Sequence, residues 1–218
     1  MIKNKIKKLV DKFKKHKIDG YIIPKNDEFF SEYSENDRLK TISNFSGSAG
    51  YSIILKKKNY LFVDGRYTIQ AQKESSNNFK IIDLQKIINC NLFKNLSIGV
   101  DPKIFTSEKV KKFFYKYNKV KFITPNLIDQ IYRKKSRINK PFYSLKDKIV
   151  GENHKKKIFK IIKYLKKNKS DFLFVTAPEN VAWLLNIRGW DNPNSPIPNC
   201  HLLIDKMNNL YLISKKNK

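Results

Sequence analysis

Ile2, Ile6, Leu9, Val10 and Phe13 recur at helical spacing with lysines between them, which predicts an amphipathic first helix. A basic amphipathic helix can lie on a membrane, but packing of the apolar stripe against a sheet is the commoner use. Asp19-Gly20 ends that unit, and Tyr21-Ile22-Ile23 is a short apolar run stopped by Pro24, the pattern of a buried strand. Residues 36–45 read as a helix, followed by the small-residue turn Phe45-Ser46-Gly47-Ser48-Ala49-Gly50. Apolar runs at 51–55 and 60–63 flank Lys56-Lys57-Lys58-Asn59, a hairpin pattern. Asp64-Gly65 closes the second strand and 66–74 opens a helix. Strand 79–82, helix 84–93, strand 97–100, helix 107–117 and strand 121–123 follow. Strands alternating with helices around one hairpin predict an α/β domain with a mixed sheet over residues 1–132.

Residues 133–148 are charged, hold Pro141 and lack a period, so 133–150 is read as a linker. A second unit, 151–218, opens with helix 152–167, then strand 171–176, helix 178–186 and strands 201–204 and 210–213. It restates the first at an offset of about 150 positions, the kind of self-similarity that marks a repeat. Asp19 to Pro24 is echoed by Asp171 to Thr176, Ile42 to Gly47 by Leu184 to Gly189, and the hairpin 51–63 by 201–213. The first copy continues beyond its hairpin through further helix–strand steps. The second has none, so it is expected to be incomplete and the chain truncated, with an open sheet edge and an uncovered apolar face.

The formal charge of +27 raises nucleic acid or an anionic membrane as partners. Arg38, Arg66, Arg133, Arg137 and Arg188 are the only arginines, so almost all of this charge is lysine. Lys, Asn, Ile, Phe and Tyr make up about half the chain, and all have codons built from A and T alone. The lysines are spread along the sequence, and a phosphate reader would favour bidentate arginine. The charge is therefore read as compositional, and neither nucleic acid nor membrane is the expected partner. Cys90 and Cys200 form no CxxC unit, the N-terminus has no secretory h-region, and no apolar run is long enough to span a bilayer. A cytoplasmic protein is expected.

His16 and His154 lie among lysines, and neither they nor His201 belong to an HExxH or Cys/His cluster. The turn Gly47 to Gly50 is neither GxSxG nor a phosphate loop, and a tight turn accounts for its glycines. Asp64 and Asp101 stand at strand ends, where two carboxylates can hold metals for phosphodiester cleavage. Helix capping and turn chemistry explain both more simply. The unusual stretch is Arg188-Gly189-Trp190-Asp191-Asn192-Pro193-Asn194-Ser195-Pro196-Ile197-Pro198. Prolines stiffen such a loop, which suits a binding wall. The plain alternative is a rigid connector closed by an Arg188–Asp191 ion pair.

Several of these pieces, taken in order, resemble a known family. Ile23 to Glu28, Ser31-Glu32-Tyr33, Arg38-Leu39, Phe45 to Gly50 and Phe62-Val63-Asp64-Gly65-Arg66-Tyr67-Thr68-Ile69-Gln70 resemble the first domain of the Xaa-Pro aminopeptidases (aminopeptidase P) of the creatinase/prolidase group. Residues 178–186, with Ile187, Arg188, Gly189, Asp191, Pro193 and Pro196, resemble the second. The family-motif residues are Gly47, Ser48, Gly50, Asp64, Gly65, Arg66, Tyr67, Gly189, Pro193 and Pro196. The resemblance implies two repeated creatinase N-terminal-type domains, each a mixed sheet flanked by helices and ribonuclease H-like, the second incomplete. It implies a metallo-hydrolase that removes the N-terminal residue preceding proline, using two metal ions, usually manganese. A third, pita-bread domain supplies Asp, Asp, His, Glu and Glu ligands in that family, and no such series surrounds His16, His154 or His201. The chain is thus expected to hold no metal or catalytic residue and to be inactive alone. Its implied roles are substrate access, orientation and assembly. Arg188, Trp190 and Asp191 are the candidate substrate contacts. The implied partners are the catalytic domain of the same enzyme, peptides with proline second, and a second copy in a homodimer. The other reading is a free-standing dimerisation or peptide-binding module. Trp190 departs from the small residue usual there, and Asn199 follows the last proline.

Overall fold

In a computed structural model, which describes residues 2–31, 36–88, 90–132, 140–192 and 194–214, the first apolar stripe forms helix α1 (Ile2–Asp11) and the short helix α2 (Phe13–His16). Ile2, Leu9 and Phe13 are its buried side. Strand β1 (Gly20–Pro24) is buried at every position. A strand covered on both faces reads as a continuous apolar run rather than an alternation. Asp37 caps helix α3 (Arg38–Ser43) by accepting the Lys40 amide, and Asn44 ends it in the left-handed region at φ 67°. The hairpin is β2 (Gly50–Leu55) and β3 (Asn59–Val63). Asp64 caps a 3-10 turn that leads into α4 (Thr68–Ser75), followed by β4 (Lys80–Asp83) and β5 (Ser97–Val100). Helix α5 (Ser107–Val110) runs on as a π-helical turn, before β6 (Lys119–Phe122) and α6 (Leu127–Ile131).

These strands form one mixed sheet in the order β4-β3-β2-β1-β5-β6. The β1-β2-β3 centre is antiparallel, while β4, β5 and β6 add in parallel. On one face Tyr21, Ile23, Ile54 and Leu61 pack with residues of α1, α3, α4 and α6, among them Leu9, Leu39, Ala71 and Leu127. On the other, Ile22, Ile53, Tyr60 and Phe62 pack under Ile87, Phe93, Phe105 and Phe114. The helix expected at 84–93 is only a 3-10 turn at Leu84–Ile87. Asp83 caps it locally and Ile88 is already extended, so the apolar spacing there serves a loop that plugs the core. Helix α6 was not anticipated; Asn126 starts it by accepting the Ile128 amide.

The chain divides into two compact units that part near residue 135. The second contains β7 (Tyr143–Ser144), α7 (Asp147–Val150), α8 (His154–Lys167), β8 (Phe172–Val175), α9 (Pro178–Leu185), β9 (Ile187–Arg188), β10 (Cys200–Asp205) and β11 (Leu210–Ser214). Of the expected linker, 133–139 lie outside the described residues. The rest is not a plain connector, because Tyr143 pairs with Arg188 and Ser144 with Ile187. A two-residue strand depends on a distant partner and leaves no local period to read. The repeat holds at the level of register. Strands β8, β10 and β11 form an antiparallel sheet in the order β11-β10-β8, as β1, β2 and β3 do. Phe174 opposes Leu203 where Ile22 opposes Ile53, and Leu203 opposes Tyr211 where Ile53 opposes Tyr60.

A buried ion cluster ties the segment after β1 to α6. Arg38 donates from Nε to Asp129 Oδ1 at 2.8 Å and from Nη2 to Asp129 Oδ2 at 2.7 Å and Glu28 Oε1 at 2.6 Å. Lys25 pairs with Asp37 at 2.5 Å. Removing one partner of a buried pair leaves the other charge uncompensated. Asp129→Ala should therefore lower the urea midpoint of the first unit. The cost is at most about 3 kcal/mol, because Glu28 still faces the guanidinium. Equilibrium unfolding followed by tyrosine fluorescence checks this.

Candidate functional site

The small-residue turn and the Val-Asp-Gly-Arg-Tyr stretch meet in the first unit. Phe45 and Tyr67 stack edge-on with centroids 5.9 Å apart, and the Ser48 and Tyr67 hydroxyls share a hydrogen bond at 2.8 Å. Gly47 lies under both rings: a Cβ there would sit 2.3 Å from the Phe45 ring and 3.0 Å from Tyr67. Gly50 passes so close to β3 that a Cβ would come within 2.8 Å of the Phe62 carbonyl. Asp64 Oδ1 accepts from the Arg66 amide at 3.0 Å and from Arg66 Nε at 2.9 Å, a cap at the start of the turn. Gly65 has open space around it. Ser46 presents its amide and hydroxyl to Glu74, and Gln70 joins them. These contacts pin the α3–β2 turn to α4. They explain the motif by packing and offer no nucleophile beside a base.

The second cluster is built on the exit from α9. Asn186 ends this helix at φ 55°. The buried amine of Lys157 on α8 donates to Trp183 O at 2.5 Å and Asn186 Oδ1 at 2.6 Å, and lies 4.2 Å from the Trp183 ring. Burial pulls the Lys157 amine below the usual lysine range. Arg188 turns back onto the helix, donating from Nη1 to Ala182 O at 3.2 Å and Ile187 O at 2.8 Å. Asp191 instead accepts the Asn199 amide at 2.7 Å, so the expected connector ion pair is not how the loop closes. Gly189 donates to the Pro196 carbonyl and runs against Pro198, whose Cα would be 2.7 Å from an added Cβ. Asn192 Nδ2 donates to Ile197 O at 3.1 Å. Pro193 lies outside the described residues.

This bracing leaves Trp190 facing outward, 55% exposed. Its ring lies 5.5 Å from that of Tyr143 on β7, and Lys140 Nζ is 5.0 Å from the indole centroid. Tyr143 and Lys140 were not legible as site residues, because only the β7–β9 pairing brings them to the loop. Chemically the pair is an aromatic shelf with a cation over it, suited to stacking and CH–π contact. Elsewhere, Asp101 caps its own turn through the Lys103 amide and accepts from Asn126, away from any metal-like cluster. His201 Nδ1 donates to the Thr176 carbonyl at 2.8 Å, and His154 sits on α8. Among the described residues no three His, Cys, Asp or Glu side chains come together as a metal site. No helix of the described residues is long and apolar enough to cross a membrane.

Residues 5–130 and 133–218 each match a Creatinase/Prolidase N-terminal domain family. A probable Xaa-Pro aminopeptidase P of Laccaria bicolor is 33% identical over 209 residues, covering 88% of this chain and 33% of that protein. Xaa-Pro aminopeptidase 1 of Dictyostelium discoideum is 31% identical over 224 residues, covering 90% of this chain and 35% of its own length. The X-prolyl aminopeptidase of Caenorhabditis elegans, described as a cytosolic enzyme with a di-nuclear active site, superposes with a TM-score of 0.87 at 27% identity. That superposition covers 99% of this chain and 39% of the worm enzyme. The chain thus spans about a third of the length of these relatives.

Two outcomes test the first cluster. Gly47→Ala should cost about 1–3 kcal/mol in a thermal melt, since the buried Phe45 ring has nowhere to retreat. Burial alone would raise the Glu74 carboxyl, but the Ser46 hydroxyl and amide and the Gln70 amide hold it below its usual value. Its stabilising contribution is therefore present above the unfolded value of 4.5 and lost as pH falls through the depressed folded value. Glu74→Gln should remove that part of the acid dependence in a pH series of melts.

Proposed function

The chain belongs to the creatinase/prolidase family through its N-terminal-type domains, and from that premise we propose that it is the non-catalytic part of a cytoplasmic Xaa-Pro aminopeptidase. In this reading it orients peptides with proline second and helps assemble the enzyme. The reaction, removal of the residue before proline, belongs in this reading to a catalytic part outside these residues, which would hold two metal ions, expected to be manganese, as Lewis acids. Homology to Xaa-Pro aminopeptidases along most of the chain carries this reading.

Within it, the braced loop from Gly189 to Asn199 serves as a wall of the substrate path. Arg188 and Asp191 hold the backbone in place, through the Ala182 and Ile187 carbonyls and the Asn199 amide. Trp190 is the contact. Its exposed indole offers a flat apolar face to a pyrrolidine ring or an apolar first side chain, and Tyr143 and Lys140 fix its tilt. The loop's hydrogen bonds are made before substrate arrives, so little conformational entropy remains to be lost on binding.

The test is release of the first residue from an Xaa-Pro-Xaa peptide with added manganese, by this chain and by a form joined to a catalytic domain. Activity only in the joined form is expected; activity in neither would favour a free-standing binding module. In the active form Trp190→Ala should raise KM about 3–10-fold with little change in kcat, the pattern of lost uniform binding. Unchanged kinetics would remove Trp190 from the substrate path.

A further inference from the structure

The first sheet ends on β6, and among the described residues no strand lies beyond it. Lys119 donates its amide to the Leu96 carbonyl and Ile123 its amide to the Val100 carbonyl, both at 2.9 Å, so the odd positions face β5. Successive residues of a strand turn their backbone groups to opposite sides, and Val120 and Phe122 therefore aim theirs outward. The side chains alternate as well. Lys119 and Lys121 share one face, where the Lys121 amine donates to the Lys17 carbonyl at 2.8 Å and Lys119 is exposed. Val120 and Phe122 share the other. Val120 packs with Phe113 and Phe114, while Phe122 is 58% exposed. The acid near Lys121, Asp19, is already engaged: it accepts from Lys56 at 2.7 Å and from the Ser97 amide at 3.0 Å.

We propose that the outer edge of β6 binds an extended acidic peptide segment by strand addition. Asp or Glu would stand opposite Lys119 and Lys121, and apolar side chains opposite Val120 and Phe122. The outward amides and carbonyls of Val120 and Phe122 would supply the main-chain bonds. The surface lies within the first unit and goes beyond the aminopeptidase reading, on which it does not depend. Two other occupants fit less well. A nucleic acid could offer phosphates to the outward amides but not to the outward carbonyls, and no arginine stands between Arg66 and Arg133 to read phosphate. A second copy pairing β6 with β6 would set lysine against lysine. The other edge strand, β4, offers Asp83, which caps its own turn through the Gln85 amide at 2.8 Å.

The test uses this chain at moderate ionic strength and two fluorescently labelled hexapeptides of one composition, the alternating Glu-Val-Glu-Val-Glu-Val and the block form Val-Val-Val-Glu-Glu-Glu. The alternating peptide should bind at least fivefold more tightly in an anisotropy titration. Lys119→Glu combined with Lys121→Glu should weaken it about tenfold. Lys57→Glu with Lys58→Glu, an equal change of charge on the exposed hairpin turn, should change binding less than twofold. Val120→Pro removes an outward amide while sparing the ladder to β5, and should abolish binding. Amide exchange at Val120 and Phe122 in the unmodified chain, which needs no variant to fold, should slow at least tenfold when the alternating peptide is added. Equal binding of the two peptides, equal loss in the two double variants, or unprotected amides at 120 and 122 each overturns the proposal. Displacement of the peptide by an oligouridylate that binds Val120→Pro equally well overturns it in favour of nucleic acid. A dimer in sedimentation that Val120→Pro dissociates overturns it in favour of a second copy.

Discussion

A sheet whose strands are apolar on both sides needs two covers, and that requirement organises this molecule. β1 is buried at every position because α1, α3 and α6 lie on one side of it and the 84–114 segment on the other. Each apolar side chain moved out of water contributes on the order of 1.5–3 kcal/mol, so the two covers of the first sheet supply much of its stability. The same hairpin and the same register recur in the second unit, where α8 and α9 cover one side. The chemistry at each sheet follows from which cover is present.

The family motif takes on a physical meaning in this setting. Gly47 and Gly50 are glycines because Phe45, Tyr67 and the Phe62 carbonyl occupy the space a Cβ would need. Asp64, Asp83, Asp101 and Asp205 each accept a nearby backbone amide and so fix turns. Asp64 and Asp101, weighed as metal ligands and read more simply as caps, accept such amides at strand ends. Asp191, too, serves the loop backbone, and exposure singles out Trp190 as the residue with something left to offer.

Much of the fold was legible because burial imposes a period. The apolar run at 20–24, the hairpin, helix α8 and the repeat all follow from side chains that must point inward. What was missed depended on distance. The β7–β9 pair is two residues long and made across more than forty positions, and the Arg38–Asp129 contact spans 91. The 84–93 segment carries helical spacing yet serves as a plug, since a loop filling a core shows the same apolar content as a helix lying on it. For the site, the stiffness of the 188–198 loop was readable from its prolines, but which way each side chain turns was not. Arg188 has α9 within reach and donates to its Ala182 carbonyl, a choice invisible until α9 and the loop are placed together.

The positive charge is compositional, and the fold decides only where its counter-charges sit. The chain has 19 acidic residues against 46 basic ones, and many of those acids are held in caps and buried pairs. A carboxylate that accepts backbone amides still carries its charge, but it sits close to the fold and leaves the lysines to dominate the surface field. Such a field acts over about 8–10 Å at moderate ionic strength, farther than any contact at the sheet edge. Charge of this sign and size favours approach of acidic surfaces over basic ones.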